Sequence, residues 1–79
     1  MRLDKYLKVS RLIKRRTVAN EACDAGRVMV NGKVARASQD VKVGDRITIN
    51  FGNKDVTVEV LTVAETVRKE EAKEMFQYI

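Results

Sequence analysis

The dipeptide Asn31-Gly32 constrains the fold of this chain more than any other pair of residues in it. It separates Val28-Met29-Val30 from Lys33-Val34. A two-residue connection between apolar-rich segments needs positive φ at both turn positions, which Asn and Gly tolerate best. A tight hairpin is therefore expected at this point.

Upstream, the apolar spacing is helical. From Arg2 to Arg11, the residues Leu3, Tyr6, Leu7 and Ser10 recur at i, i+3, i+4 and i+7 and share one face. Arg2, Lys5, Lys8 and Arg11 project from the other, with Asp4 in the first turn, where a carboxylate suits the helix dipole. The pattern breaks at Leu12-Ile13, and Lys14-Arg15-Arg16 follows at a junction. A second helix is expected from Thr17 as N-cap to Ala25, with Val18, Ala19, Ala22 and Cys23 inward and Asn20, Glu21 and Asp24 outward. Gly26 stops it. Cys23, among small apolar residues, reads as a packed and inert thiol.

Downstream, Ser38–Asp40 and Val43-Gly44-Asp45 punctuate a loop, and Ile47, Ile49 and Phe51 alternate with polar residues as in a half-buried strand. Gly52-Asn53 turns the chain into a strand expected from Val56 to Val63. Ala72, Met75, Phe76 and Ile79 fall on a helical face, so the C-terminal part reads as a short docked helix or a tail. The expected class is α+β: two N-terminal helices packed on a small, mainly antiparallel sheet, with a C-terminal hairpin and a short helix or tail. One domain over 1–79 is expected.

Charge is concentrated at one end. Between Arg2 and Arg36 there are ten Lys and Arg against three acids (Asp4, Glu21, Asp24), a balance of +7. The remainder sums to −2, and the whole chain carries +5. A concentrated cationic surface suits a polyanion, because neutralising phosphates releases condensed counterions. Other classes fare worse. The chain has no His and one Cys, which leaves neither a disulfide nor a Cys-based zinc site to build, and its carboxylates are scattered. No enzyme activity, cofactor, metal or small-molecule substrate is expected. No apolar run approaches the roughly 20 residues that span a bilayer, so no membrane contact and a cytoplasmic location are expected.

The run Arg2-Leu3-Asp4-Lys5-Tyr6-Leu7, then Ser10-Arg11, Lys14-Arg15-Arg16-Thr17-Val18-Ala19, Gly26-Arg27-Val28-Met29-Val30-Asn31-Gly32-Lys33-Val34, Ser38 and Val43-Gly44-Asp45-Arg46-Ile47 resembles the alpha-L RNA-binding motif of ribosomal small-subunit protein four. The motif covers about residues 1–50, leaving about 51–79 as an extension. The resemblance implies two helices and adjacent strands presenting a basic, L-shaped surface to structured RNA. The opening run further resembles free-standing members, relatives of the fifteen-kilodalton heat-shock protein, that act in ribosome-associated quality control. What that implies is binding to large ribosomal subunits obstructed by peptidyl-tRNA, with contacts to rRNA and tRNA. The implied partner is RqcH, which brings alanyl-tRNA for alanine tails, and the chain is expected to act as a monomer.

The expected RNA contacts are Arg2, Lys5, Lys8 and Arg11 along the first helix and Lys14, Arg15 and Arg16 at the corner. Arg2, Arg11 and Arg16 carry more weight than Lys8, since a guanidinium can clamp two phosphate oxygens or stack on a base. By resemblance, Arg2 and Arg16 match the motif's functional positions, and Lys5 comes next. Asp4 either orients an Arg at the helix start or touches a partner. Arg27, Lys33 and Lys42 either extend the patch or are ordinary solvated charges. With Tyr6, Phe51, Phe76 and Tyr78 as the aromatics, a base-stacking sheet is disfavoured, and recognition by shape and backbone is expected. Two other classes stay open: a protein-interaction adaptor using the Val56–Val63 strand, and a DNA-binding regulator using Thr17–Ala25.

Overall fold

A computed structural model describes residues 1–79. Helix α1 spans Leu3–Val9 and α2 spans Arg16–Asp24; strands β1 (Val28–Val30), β2 (Lys33–Val34), β3 (Arg46–Asn50) and β4 (Asp55–Val60) follow. A four-residue helix, α3 (Lys69–Ala72), and strand β5 (Phe76–Tyr78) complete the chain. The five strands form one antiparallel sheet in the order β2-β1-β3-β4-β5. The α+β expectation is met.

The Asn31-Gly32 turn takes φ of 53° and 82° and pairs Val30 with Lys33 across it, the tight hairpin that its residues specify. The Asn31 side chain does more. Its Oδ1 accepts the Arg46 backbone N–H at 3.0 Å, and its Nδ2 donates to Asp45 Oδ1 at 3.1 Å, fixing the start of β3 against the turn.

Register then builds one apolar face. Val28 pairs with Ile49, Val30 with Ile47, Ile49 with Val56, Ile47 with Val58, Val58 with Tyr78 and Val60 with Phe76, and directly opposed residues share a face. Leu3, Tyr6 and Leu7 of α1 and Ala19 and Cys23 of α2 join Val28, Val30, Ile47, Ile49, Val58, Val60 and Phe76 in a single buried cluster, with Val56 at its margin and Tyr78 outside it. The Tyr6 hydroxyl donates to the Met75 carbonyl at 2.7 Å, tying the first helix to the segment before β5. Gly26 closes α2 with φ of 76°, while the Arg27 N–H reaches the Ala22 carbonyl and the Gly26 N–H the Cys23 carbonyl. Cys23 is buried, and burial first, then nearby Asp4 and Asp24, pushes its thiol up to about 11.

Five local expectations are corrected. Helix α1 ends at Val9, and Arg11 lies beyond it with φ of 63°, so the helical line of cations stops at Lys8. Helix α2 begins at Arg16 with Arg15 in the cap position and no side-chain cap, so Thr17 is inside the helix. Val18 is exposed instead of facing the core. Strand β4 ends at Val60, whose N–H donates to the Asp45 carbonyl, and the N–H groups of Leu61 and Thr62 then both donate to the Met75 carbonyl. Phe76–Tyr78 is a strand, paired antiparallel with the edge of β4, which places Phe76 opposite Val60 and satisfies backbone groups on both strands.

Candidate nucleic-acid interface

The two helices meet at the Asp4 carboxylate, which is 3% exposed. Arg2 donates from Nε to Oδ1 at 3.2 Å and from Nη2 to Oδ2 at 3.4 Å. Arg16 donates from Nη2 to Oδ1 at 3.4 Å, with its Nε 3.4 Å from Oδ2. Asn20 Nδ2 donates to Oδ2 at 3.3 Å, and the Lys5 backbone N–H to Oδ1 at 2.8 Å. Burial penalises the charged carboxylate, but the hydrogen bonds from Asn20, Arg16 and Arg2 and the charge of Arg16 outweigh it and hold Asp4 below the ordinary carboxylate range. Of the two expected roles for Asp4, the structure realises the Arg-orienting one.

This arrangement positions charge without cancelling it. Two guanidinium groups share one carboxylate, and both remain about half exposed, 51% for Arg2 and 46% for Arg16. Each keeps N–H donors for an outside anion. Their planar forks are fixed from α1 and α2 at once, which lowers the rotamer entropy lost when a phosphate is bound.

The backbone positions the same corner. The first amides of α1, Leu3 and Asp4, donate to the carbonyls of Gln39 and Ala37, and the Met1 ammonium pairs with Asp40 at 2.7 Å. The helix start is thus bonded within the protein, and anion binding falls to side chains.

Lys8, Arg11 and Lys14 line one cleft of about 410 Å³ together with Glu65, Thr66 and Val67. Lys8, Arg11, Lys14 and Arg15 are exposed and have no carboxylate within ion-pair distance. Lys5 differs: its ammonium is paired with Glu65, an exposed partner 60 residues along the chain. Seven expected cations thus face two carboxylates, leaving a surplus of positive charge on this side. The additional residues lie elsewhere. Arg27 borders an apolar hollow with Val18 and Phe51, while Lys33 and Lys42 line a third with Asp40 and Asp45.

Asn20 is the member of the site that sequence reading left on a solvent face. Its signal was the spacing: it stands four residues after Arg16, one helical turn further on the same side.

The S4 domain family model matches residues 1–47, the stretch that holds the pinned Arg pair and the hairpin. A relative from Halalkalibacterium halodurans, named RQC P-site tRNA stabilizing factor, is 62% identical over 98% of this chain and 88% of its own length. The chain belongs to the S4 domain family, among the RQC P-site tRNA stabilizing factors. A Bacillus subtilis member of the same name is 59% identical, over 96% of this chain and 88% of its own. The S4 fold is also that of Vibrio cholerae heat shock protein 15, whose trimeric structure matches all of this chain and 81% of its own at a TM-score of 0.93 and 30% identity. The resemblance to the heat-shock relative is therefore carried by the whole fold, beyond the opening motif.

Proposed function

We propose that this chain is an RNA-binding factor of the RqcP type. It holds rRNA and tRNA on large ribosomal subunits obstructed by peptidyl-tRNA, in ribosome-associated quality control. The names of its relatives point to P-site tRNA, and the S4 domain points to structured RNA. The observation that carries the reading is the Arg2–Asp4–Arg16 cluster beside the unpaired Lys8, Arg11, Lys14 and Arg15. Such a surface grips a sugar-phosphate outline: the fixed guanidiniums clamp chosen phosphates, and the unpaired cations add charge around them. Lys5 joins once RNA displaces Glu65, an exchange that an exposed ion pair permits at small cost.

In this proposal the protein acts as a monomer in the cytoplasm, without catalysis, and holds the tRNA so that RqcH can extend the stalled chain with alanine. No helix is long and apolar enough to cross a membrane. The alternative role of a general rRNA-binding stress or assembly factor draws on the fold shared with heat shock protein 15.

Sucrose-gradient sedimentation of lysate tests the proposal. Wild type is expected with large subunits that carry peptidyl-tRNA, and Arg16→Ala is expected to be lost from them. Comigration with empty subunits as well would favour the general rRNA-binding role. Absence from ribosomal fractions would remove both.

A further inference from the structure

The sheet's apolar face is not fully covered by the helices. At the end where Ile49 pairs with Val56 and Val58 with Tyr78, the chain leaves Phe51 at 45% and Tyr78 at 70% exposure. With Leu12, Val56 and Phe76 they line a shallow hollow of about 310 Å³. A second hollow continues from Leu12 and Phe51 toward Val18 and Ala22, so the apolar strip is continuous across both. Phe76 meets Tyr78 edge to face, with centroids 5.4 Å apart, so the exposed ring rests against a buried one.

The only charged residues lining the two hollows are Arg11, Lys54 and Arg27. All three are cations. Exposed rings with a wholly cationic rim complement a ligand that is planar and apolar at one end and anionic at the other.

Arg11 connects this strip to the site described above. It lines both the cleft of Lys8 and Lys14 and the hollow of Phe51 and Tyr78. It does so from a left-handed backbone conformation, φ 63°, that residues with a Cβ rarely adopt.

We infer that Phe51 and Tyr78 form a stacking platform for an unpaired nucleotide of the bound RNA, with Arg11 and Lys54 holding its flanking phosphates. The inference rests on the RNA-binding reading and deepens it: the helical corner takes backbone, and the strip takes a base. Aromatic stacking tolerates any base, since every base has a π face. The platform therefore selects for an unpaired nucleotide at a set distance from a phosphate track, and not for a sequence.

The test uses a fluorescein-labelled RNA hairpin with a single bulged 2-aminopurine, and its fully paired counterpart. Wild type is expected to bind the bulged RNA roughly tenfold more tightly than the paired one and to quench the 2-aminopurine. The double variant Phe51→Ser, Tyr78→Ser is expected to lose the preference and the quenching while binding the paired hairpin as wild type does. Both side chains are exposed, so the fold should persist; Phe51→Tyr with Tyr78→Phe, which keeps both rings, should retain the preference. A wild type that does not distinguish the two RNAs would overturn the inference, as would a double variant that keeps the preference. Loss of self-association or of binding to a glutamate-rich amphipathic peptide in the double variant, with RNA preference unchanged, would also overturn it. Arg16→Ala separates the two readings: it should weaken both RNAs equally, and if it weakens neither, the reading of the corner fails whatever the platform does.

Discussion

Lys14 and Arg16 stand two residues apart and carry the same charge, yet the protein treats them differently. Arg16 is fixed on the buried Asp4 carboxylate, with Arg2 on the same acid and Asn20 beside it. Lys14 sits with Lys8 and Arg11 around an open cleft and has no acidic partner. The pinned pair and the free loop divide two tasks that a net charge of +5 conflates: placing donors at fixed points, and raising local potential. On this division, losing a pinned Arg should cost far more than losing a free cation.

The largest expected effect follows directly. Arg16→Ala should weaken binding to structured RNA by about tenfold, as for loss of a charge-assisted hydrogen bond, whereas Arg15→Ala should cost only about two- to threefold. Fluorescence anisotropy on one RNA at fixed salt measures both. Equal losses would break the comparison.

Asp4→Asn sharpens it. The variant removes a negative charge from the basic face but loosens the guanidiniums, so RNA affinity should fall despite the higher net charge. Stability should also fall, by about 1–3 kcal/mol, because the half-exposed donors around the buried Asp4 position lose a charged acceptor. Urea denaturation and anisotropy on the same samples test both statements. Rising affinity would mean that charge count outweighs placement.

The pH dependence has a determined sign. The folded-state pKa of Asp4 is depressed, so its stabilising contribution is complete above the ordinary carboxylate value and is lost as pH falls through the lower folded value. Urea denaturation between about pH 5 and pH 2 should show wild type losing more stability than Asp4→Asn over that window. Parallel curves would mean that Asp4 is not held ionised by its partners.

The smallest effect belongs to Glu65→Gln. It frees Lys5 on the exposed edge of the site, so stability should barely change, as for most exposed ion pairs, while RNA affinity should rise slightly. A clear loss of affinity would assign Glu65 a direct role in binding.

Much of this was legible because it is local. Asn31-Gly32 specifies its turn by φ alone, and Leu3, Tyr6, Leu7 and Ser10 lie on one buried face as their spacing requires. Gly26 stops α2 where a left-handed residue is needed. What escaped sequence reading depends on distant contacts or on competition between local signals. The Lys5–Glu65 pair spans 60 residues, and nothing near Lys5 announces it. Phe76–Tyr78 has helical apolar spacing upstream but is claimed by the free edge of β4. Thr17 is a better cap by type than Arg15, yet the helix starts early enough to bring Arg16 and Asn20 over Asp4. Phe51 continues the alternation of β3 in sequence but lies just past the strand, in the turn that its N–H makes with the Lys54 carbonyl, and is exposed for that reason.

The salt dependence of RNA affinity tests the central claim most directly, that a cationic corner formed by α1, α2 and their connection binds RNA through its phosphates. With about five phosphates neutralised, affinity should fall roughly a hundredfold between 50 and 200 mM salt, and Arg16→Ala should lower the log-log slope by about 0.7. A wild-type slope near zero, or one that Arg16→Ala leaves unchanged, would contradict the account.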